Sequence, residues 1–588
     1  MPANNNLKSS VFLCLLFSFF ALGGKTEPLF LIASVPVLYY FLWAEIPLYP
    51  FLVFATAIAI NVSTSIDSSA SYFLGIQYIV YSIAFFVFHT AFKKTQEPFF
   101  CFLVVASGAT LAVTFLQWIH SDNLSGFLPV NYNFNAVWMA VSALCLAGHA
   151  ASDSISGRRK IGEFALSFGL AFLVALGLSR SALIGLVLGG FILLLNVVPA
   201  SRRSLFFSFV LLFAALLYLS LSPRIHLSQE LDFTYGRWNI WKAAYHSLGD
   251  HPLTGYGLGN FESGYLRHAQ ALPQDMVRFG KTTRFAHCDF LQWGVETGLL
   301  EGAILFCLGL FPLIQGIRRR PSIQHLSFYV AYLCMALTAC VNITLQMPFL
   351  MLLALYFAAG LISADSQTKY RMMPMIFKQL LALFILMSLS LLSWRSFLLS
   401  NRGATTWLHF LPHDAQAWHL AGVEAKTWPE AIYDQENAVR WATGQLYYHE
   451  ALARAYAAVN RWNDSALQYQ KSLELSPNRA VDWLGLGQAL FSLHQPAEAE
   501  KCYVKARAIE PAYWQAEFRL AQLWASQGRR AEALFLLRQL DARHQAWIDQ
   551  VALLHPSAWS PYEHEIVAFD ASQMTALIKA LNTADKNK

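Results

Sequence analysis

Apolar residues run in long blocks separated by short polar turns from Val11 to near residue 400, and beyond that point the chain reads as water-soluble. A membrane-spanning helix needs about 20 mainly apolar residues. The blocks predict about thirteen spans, at 9–23, 28–43, 46–61, 72–92, 98–119, 134–150, 161–179, 181–198, 204–222, 291–316, 325–345, 347–363 and 376–398. Glu45 and Pro47 leave a very short turn between the second and third, and Gln346-Met347-Pro348 an equally tight one between the eleventh and twelfth. The expected fold class is therefore all-α: a polytopic membrane helical bundle of about 12–13 spans over 1–400, with an α-helical domain over 401–588.

The second half repeats. Pro477 and Pro511 stand 34 residues apart. Before Pro511, Trp483, Leu486, Gly487, Leu490, Ala499, Tyr503 and Ala506 fall at tetratricopeptide positions. Leu452, Ala453, Tyr456, Tyr469 and Ser472 take equivalent places before Pro477, and Leu520, Ala521, Trp524 and Ala533 begin a third unit. A 34-residue period marks that helix–turn–helix repeat, in which small residues let paired helices approach and large ones fill between them. Repeats are expected over about 446–545, either as a concave partner-binding surface or as a helical cap on the membrane domain.

Composition agrees. The 588 residues are 56% hydrophobic and 13% charged, with a mean hydropathy of +0.40. A soluble chain carries roughly 25% charged residues, so a soluble or disordered protein is excluded. The net charge of +6 sits in short clusters, which speaks for membrane orientation and against nucleic-acid binding. Those clusters are Lys93-Lys94, Arg158-Arg159-Lys160, Arg202-Arg203, Arg318-Arg319-Arg320, and Lys369 with Arg371. With the N-terminus inside, all fall on the cytoplasmic side, as the positive-inside rule requires. Residues 1–24 also read as a secretory signal, with Lys8 before an apolar run and Ala21-Leu22-Gly23 as a cleavage site; the remaining spans keep their orientation either way. Six of the eight cysteines lie in apolar blocks and Cys288 and Cys502 are far apart, so neither a disulfide scaffold nor a zinc site is expected.

Two regions are then expected outside the cytoplasm: a loop over about 223–290 and everything after 400. Loops this long are functional or disordered, and Trp238, Trp241, Phe261 and Tyr265 predict a folded one. Three motifs there carry chemistry. Leu178-Ser179-Arg180-Ser181 leaves the seventh span on the outer side. Arg180 breaks the positive-inside pattern; it snorkels to headgroups, or faces a cavity where it could clamp a phosphate. Tyr235-Gly236-Arg237-Trp238-Asn239-Ile240-Trp241 predicts a short amphipathic helix with Trp238, Trp241 and Tyr245 on one face. It leads into His251-Pro252-Leu253-Thr254-Gly255-Tyr256-Gly257-Leu258-Gly259-Asn260, whose glycines permit tight turns; no strand precedes them, so dinucleotide binding is excluded. Arg284-Phe285-Ala286-His287-Cys288-Asp289 runs into the tenth span, with Glu296 two to three turns deeper. His287 is a structural hydrogen-bonder or a general base. Asp289 and Glu296 are candidate partners for the basic residues, or structural ion pairs.

The order of these motifs resembles the O-antigen ligase and polymerase superfamily, which includes bacterial protein O-oligosaccharyltransferases. Asn133-Phe134-Asn135-Ala136 is similar to that family's Asn-x-Asn-Ala stretch, and the resemblance is densest over 180–302. Cys288 stands where the family has Asn, and Glu301 interrupts its glycine-rich run. The resemblance implies a type-C glycosyltransferase-like fold in the bacterial inner membrane, with loop and repeats in the periplasm. It implies a reaction without metal or other cofactor that moves a glycan, with inversion, from undecaprenyl diphosphate to an acceptor hydroxyl. Lipid A core, a protein Ser or Thr, or another lipid-linked glycan could accept, the last making the chain a polymerase. Arg180 and Arg237 would neutralise the leaving diphosphate and His287 would accept the acceptor's proton. Arg284, Lys281, Arg278, Trp238 and Asn135 are the candidate substrate-binding residues. Membrane lipids, and a protein bound by the repeats, are the other expected partners. A transporter or membrane scaffold is the reading from another class; it should show internal span symmetry, and the membrane half has none. The predicted topology is checked with a reporter active only outside the cytoplasm: fused after residue 160 it should be silent and after residue 250 active, and the reverse pattern would invert the orientation.

Overall fold

The computed structural model describes residues 27–92, 97–121, 132–152, 155–177, 179–197, 233–272, 277–280, 282–318, 323–362, 371–551 and 560–586. The spans expected at 9–23 and 204–222, the signal-like residues 1–24, Lys281 and the basic residues Lys93, Lys94, Arg202, Arg203, Arg319, Arg320 and Lys369 lie outside them. Within them the first part is a bundle of α1 (Glu27–Phe41), α2 (Leu48–Thr64), α3 (Ser68–Phe92), α4 (Glu97–Ser121), α5 (Tyr132–Ala150), α6 (Gly157–Gly177) and α7 (Arg180–Val197). After α8 (Phe233–Ser247) and α9 (Phe261–His268) come α10 (Asp289–Thr297), α11 (Leu299–Arg318), α12 (Ile323–Ala339), α13 (Pro348–Ile362) and α14 (Met375–Ser400). Helices meet every backbone polar need internally, which is what a hydrocarbon solvent demands. Five of them, α3, α4, α7, α11 and α14, are long and apolar enough to cross a membrane, and α1, α2, α12 and α13 are shorter apolar helices.

Apolar surface decides which helices are central. α5 and α13 are buried on nearly all sides, as a helix hydrophobic all round must be. Trp138 of α5 sits in this core and donates its Nε1–H to Thr110 Oγ1 of α4 at 3.0 Å. α7, α11 and α14 instead turn Ile184, Ile317 and Met387 outward, the surface that lipid would cover. The turns sort to two ends. At one end Met373 N donates to Ile46 O and Leu48 N to Arg371 O, both at 2.9 Å. At the other, Asn61 in the last turn of α2 accepts from Leu258 N at 3.0 Å and donates to Glu296 O at 3.1 Å. The alternation of spans places these groups on opposite sides in the same way.

The tenth span departs from expectation. It is two helices, α10 and α11, hinged at Gly298, whose φ is 84°. They run antiparallel: the Phe290 ring lies 4.9 Å from Phe306, and a Cβ at Gly302 would stand 2.7 Å from Gly294 Cα. Asp289 therefore lies beside the middle of α11 and Glu296 near the hinge, the reverse of the depth order expected from one continuous span. An apolar run reads alike as one helix or as a folded-back pair; glycine at the hinge and at the crossing decides for the pair.

The second part is a row of helical hairpins. α18 (Leu446–Ala458), α20 (Ala480–Ser492) and α22 (Trp514–Ser526) are the first helices of three, and α19 (Trp462–Leu475), α21 (Pro496–Ile509) and α23 (Arg530–Val551) the second; each set starts at 34-residue intervals. Gly487 lets α21 close in, since a Cβ there would stand 2.5 Å from the Tyr503 ring. A further hairpin, α16 (Ala415–Glu424) and α17 (Trp428–Trp441), precedes the expected repeats, with Trp428 one period before Trp462. The short α15 (Ala404–Leu408) joins it to α14: buried Asp414 caps α16 through Ala417 N and takes the Arg395 Nε–H at 2.5 Å and the Trp407 Nε1–H at 2.9 Å. α24 (Pro561–Val567) and α25 (Ala571–Lys586) close the chain against the repeats.

The hinge yields a stability prediction. A Cβ at Gly298 would stand 2.5 Å from Leu253 O, whereas one at Gly309 would meet only the Phe290 ring at 3.5 Å. Gly298→Ala should lower thermal stability by about 1–3 kcal/mol or more and Gly309→Ala by well under 1, as read by the unfolding midpoint in detergent. Equal midpoints would remove the hinge from this account.

Candidate functional site

α8 carries Arg237 and Trp241 one helical turn apart. Arg237 is half-buried and donates from Nη1 to Val341 O at 3.0 Å, in the turn between α12 and α13. Trp241 donates from Nε1 to Ala286 O at 2.9 Å. The other side of Ala286 is also held, because its N–H donates to Gln292 Oε1 at 3.1 Å, and Gln292 Nε2 donates in turn to Glu296 Oε1 at 3.0 Å. His287 follows directly. Its φ is 51°, a left-handed conformation that a side chain adopts at a cost. Neighbours fixed on both sides hold it there, since two residues later the Asp289 carboxylate accepts from Leu345 N at 2.7 Å.

The electrostatics join three of the expected residues. Burial, and then the charge of Arg237, push the His287 imidazole below its ordinary value, so it is neutral near pH 7. Burial and the charge of Arg180 act on the Arg237 guanidinium in the same downward direction. Arg180 opens α7 with its side chain exposed, and its field reaches Arg237. The His287 Nδ1 and Ser179 Oγ atoms are buried without a hydrogen-bond partner among the described residues, as are Thr344 Oγ1 and the second oxygen of Asp289. A neutral imidazole that feels one guanidinium, itself within the field of a second, is an arrangement able to hold an anion and accept a proton. Among the described residues no group of three His, Cys, Asp or Glu is placed to hold a metal ion.

The other expected residues lie elsewhere. Trp238 is 56% exposed, with Lys242 Nζ 5.7 Å from its ring centroid, and Tyr245 is 70% exposed, so of the aromatic face only Trp241 packs towards His287. The amphipathic pattern of α8 could not tell which tryptophan faces inward. Arg284 is 83% exposed with its Nε 3.6 Å from Glu262 Oε2, a surface pair. Arg278 belongs to the contact with the repeats, where its backbone N–H donates to Glu510. Asn135 is fully buried in the first turn of α5. Lys281 falls outside the described residues. Asp289 and Glu296 pair with no arginine in the contacts described: Asp289 holds backbone at 344–346, and Glu296 is held by Gln292 and the Gly259 and Phe261 amides. Gln292 and the turn at 341–346 were not anticipated: Gln292 acts locally, bridging Ala286 and Glu296 without any motif to mark it, and the turn acts on Arg237 and Asp289, 104 and 56 residues away in the chain.

Comparison with known proteins gives the following. No curated protein matches the chain. Among solved structures the chain is similar to the crystal structure of MamA, at 17% identity over 25% of this chain and 88% of that one, with a TM-score of 0.25. It is also similar to the crystal structure of yeast Tom70, at 13% identity over 89% of this chain and 96% of that one, with a TM-score of 0.24. Residues 164–307 match the family model described as Wzy_C, O-antigen ligase, and this stretch contains Arg180, Arg237 and His287. The match to the O-antigen ligase family model thus covers less than half of the chain.

Proposed function

We propose that the chain is a glycosyltransferase of the bacterial inner membrane, with the His287 loop and the repeats on the periplasmic face. It moves a glycan from undecaprenyl diphosphate to an acceptor hydroxyl on lipid A core or on a protein Ser or Thr. The observation that carries this reading is the coupling of Arg180, Arg237 and neutral His287 inside the O-antigen ligase domain.

The chemistry follows from these groups. The bond between the anomeric carbon and the phosphate oxygen breaks, and the leaving diphosphate keeps the electron pair. Arg180 and Arg237 would meet that charge, with half-buried Arg237 the more shielded from solvent of the two. The acceptor oxygen attacks the opposite face of the sugar carbon, which inverts it, and gives its proton to His287. The lowered basicity of His287 keeps the imidazole free to take it at neutral pH. The acceptor would lie where buried polar atoms lack partners, around His287 and Thr344, which Asp289 ties together.

The test is transfer in vitro from an undecaprenyl-diphosphate glycan to lipid A core, to periplasmic proteins, or to more donor, with and without EDTA. His287→Ala, Arg180→Ala and Arg237→Ala should each cut the rate by about 100-fold or more, and EDTA should leave it unchanged. Folded variants that transfer as fast as the parent would overturn the assignment; product formed only from donor would make the chain a polymerase.

The pH dependence carries a sign. Since His287 is depressed, the acid limb of kcat/KM should fall below about 6.5, the free imidazole value. Arg237→Gln removes a charge that disfavours the imidazolium, so the acid limb of the residual activity should move up. An unchanged limb would separate His287 from the titrating base.

A further inference from the structure

The segment that leads to His287 is held by the repeat domain. Val277 and Phe279 pack into the hydrophobic cluster formed by α20, α22 and α24. Fully buried Glu510, just after α21, sets its carboxylate on the backbone between them: Oε2 accepts from Arg278 N and Oε1 from Phe279 N, each at 2.7 Å. Burial pushes the Glu510 carboxyl up to about 7, and these two main-chain amides, which favour its ionised form, act against that rise. On the next residue, Ser560 Oγ at the start of α24 donates to Gly280 O at 3.2 Å, and a Cβ at Gly280 would stand 2.5 Å from Glu563 Cγ. α24 is itself fixed across the first helices of the hairpins: the Tyr562 hydroxyl accepts from Ala480 N at 3.2 Å and Glu565 accepts from Arg454 at 2.7 Å. Residues 277–280 are thus gripped between Glu510 and α24, and seven residues later comes His287. A cap that only covered the membrane domain would need side-chain contacts alone; here a buried carboxylate is committed to the loop's backbone.

We propose that the repeat domain acts on its own chain, with Glu510 a positioning residue that fixes the Arg278–Phe279 backbone and so sets the conformation in which the following segment presents His287. The inference rests on the glycosyl-transfer reading above. The surface that clasps the loop is occupied by residues 277–280 and α24 of the same chain.

The experiment uses the full chain in detergent, with Glu510→Ala and Glu510→Gln. It measures hydrogen exchange over 277–286 and over the repeats 446–545, together with kcat and KM. Glu510→Ala should raise exchange over 277–286 and lower kcat by about 10- to 100-fold, with donor KM within about twofold and repeat exchange unchanged. Glu510→Gln keeps one acceptor oxygen and should fall between. Unchanged exchange over 277–286, or unchanged kcat, would overturn the proposal. If Glu510→Ala loosens the repeats as well, Gly280→Ala decides: pushed against Glu563 from the loop side, it should give the same local exchange and the same kcat loss, and parental values in it would overturn the clasp. Absence of transfer by the parent chain would sink the glycosyl-transfer reading and with it the positioning role, whereas a failed clasp in an active parent leaves that reading standing.

Discussion

The site depends on one piece of backbone docked on one turn. Leu299 N donates to Pro252 O at 2.8 Å, Tyr256 N to Val295 O at 2.9 Å and Gly257 N to Glu296 O at 2.8 Å. Asn61 closes the same junction from α2. Side chains are excluded: a Cβ at Gly255 would stand 2.4 Å from Glu296 O. Each such hydrogen bond is worth only about 0.5–1.5 kcal/mol net, but a buried amide left without one costs more. Loop, folded-back helix pair and bundle are thereby locked in one register, and the His287 end of α10 is carried to a fixed depth beside α11.

From that register the charges follow. α8 reaches the site through Arg237 and Trp241, which donate to main-chain oxygens of two different segments, at Val341 and Ala286. Burial and the charge of Arg180 both act against the Arg237 guanidinium, and a nearby anion would offset that repulsion. Burial first, and then the charge of Arg237, depress His287, so the imidazole beside that guanidinium is neutral. The strained φ of His287 belongs to this constraint, since both flanking segments are held by distant partners.

The repeats extend the lock outward. Gln445 Nε2 donates to Asn260 Oδ1 at 3.0 Å, Ser476 Oγ to Leu266 O at 3.0 Å and Asn478 Nδ2 to Ala269 O at 3.2 Å, so the hairpins follow the loop along α9 before Glu510 takes it up. Arg395 and Asp414 anchor the first hairpin to the end of α14. The loop is folded because it is clamped between two helical bodies, which its own length and polarity would not achieve.

The sequence by itself determined what is local or periodic. Apolar runs placed the helices and the 34-residue period placed the hairpins from Leu446 onward, while the choice of Arg180, Arg237 and His287 came from the order of motifs alone. Tertiary structure alone decided the rest. The hinge at Gly298 was hidden because a 26-residue apolar run has the same composition folded back or straight. Trp241 rather than Trp238 faces the site because Ala286, 45 residues away, supplies the acceptor. Arg278 is drawn to the repeats by Glu510, 232 residues distant. Periodicity reports which face of a helix is buried; it carries no information on which partner, from elsewhere in the chain, meets that face.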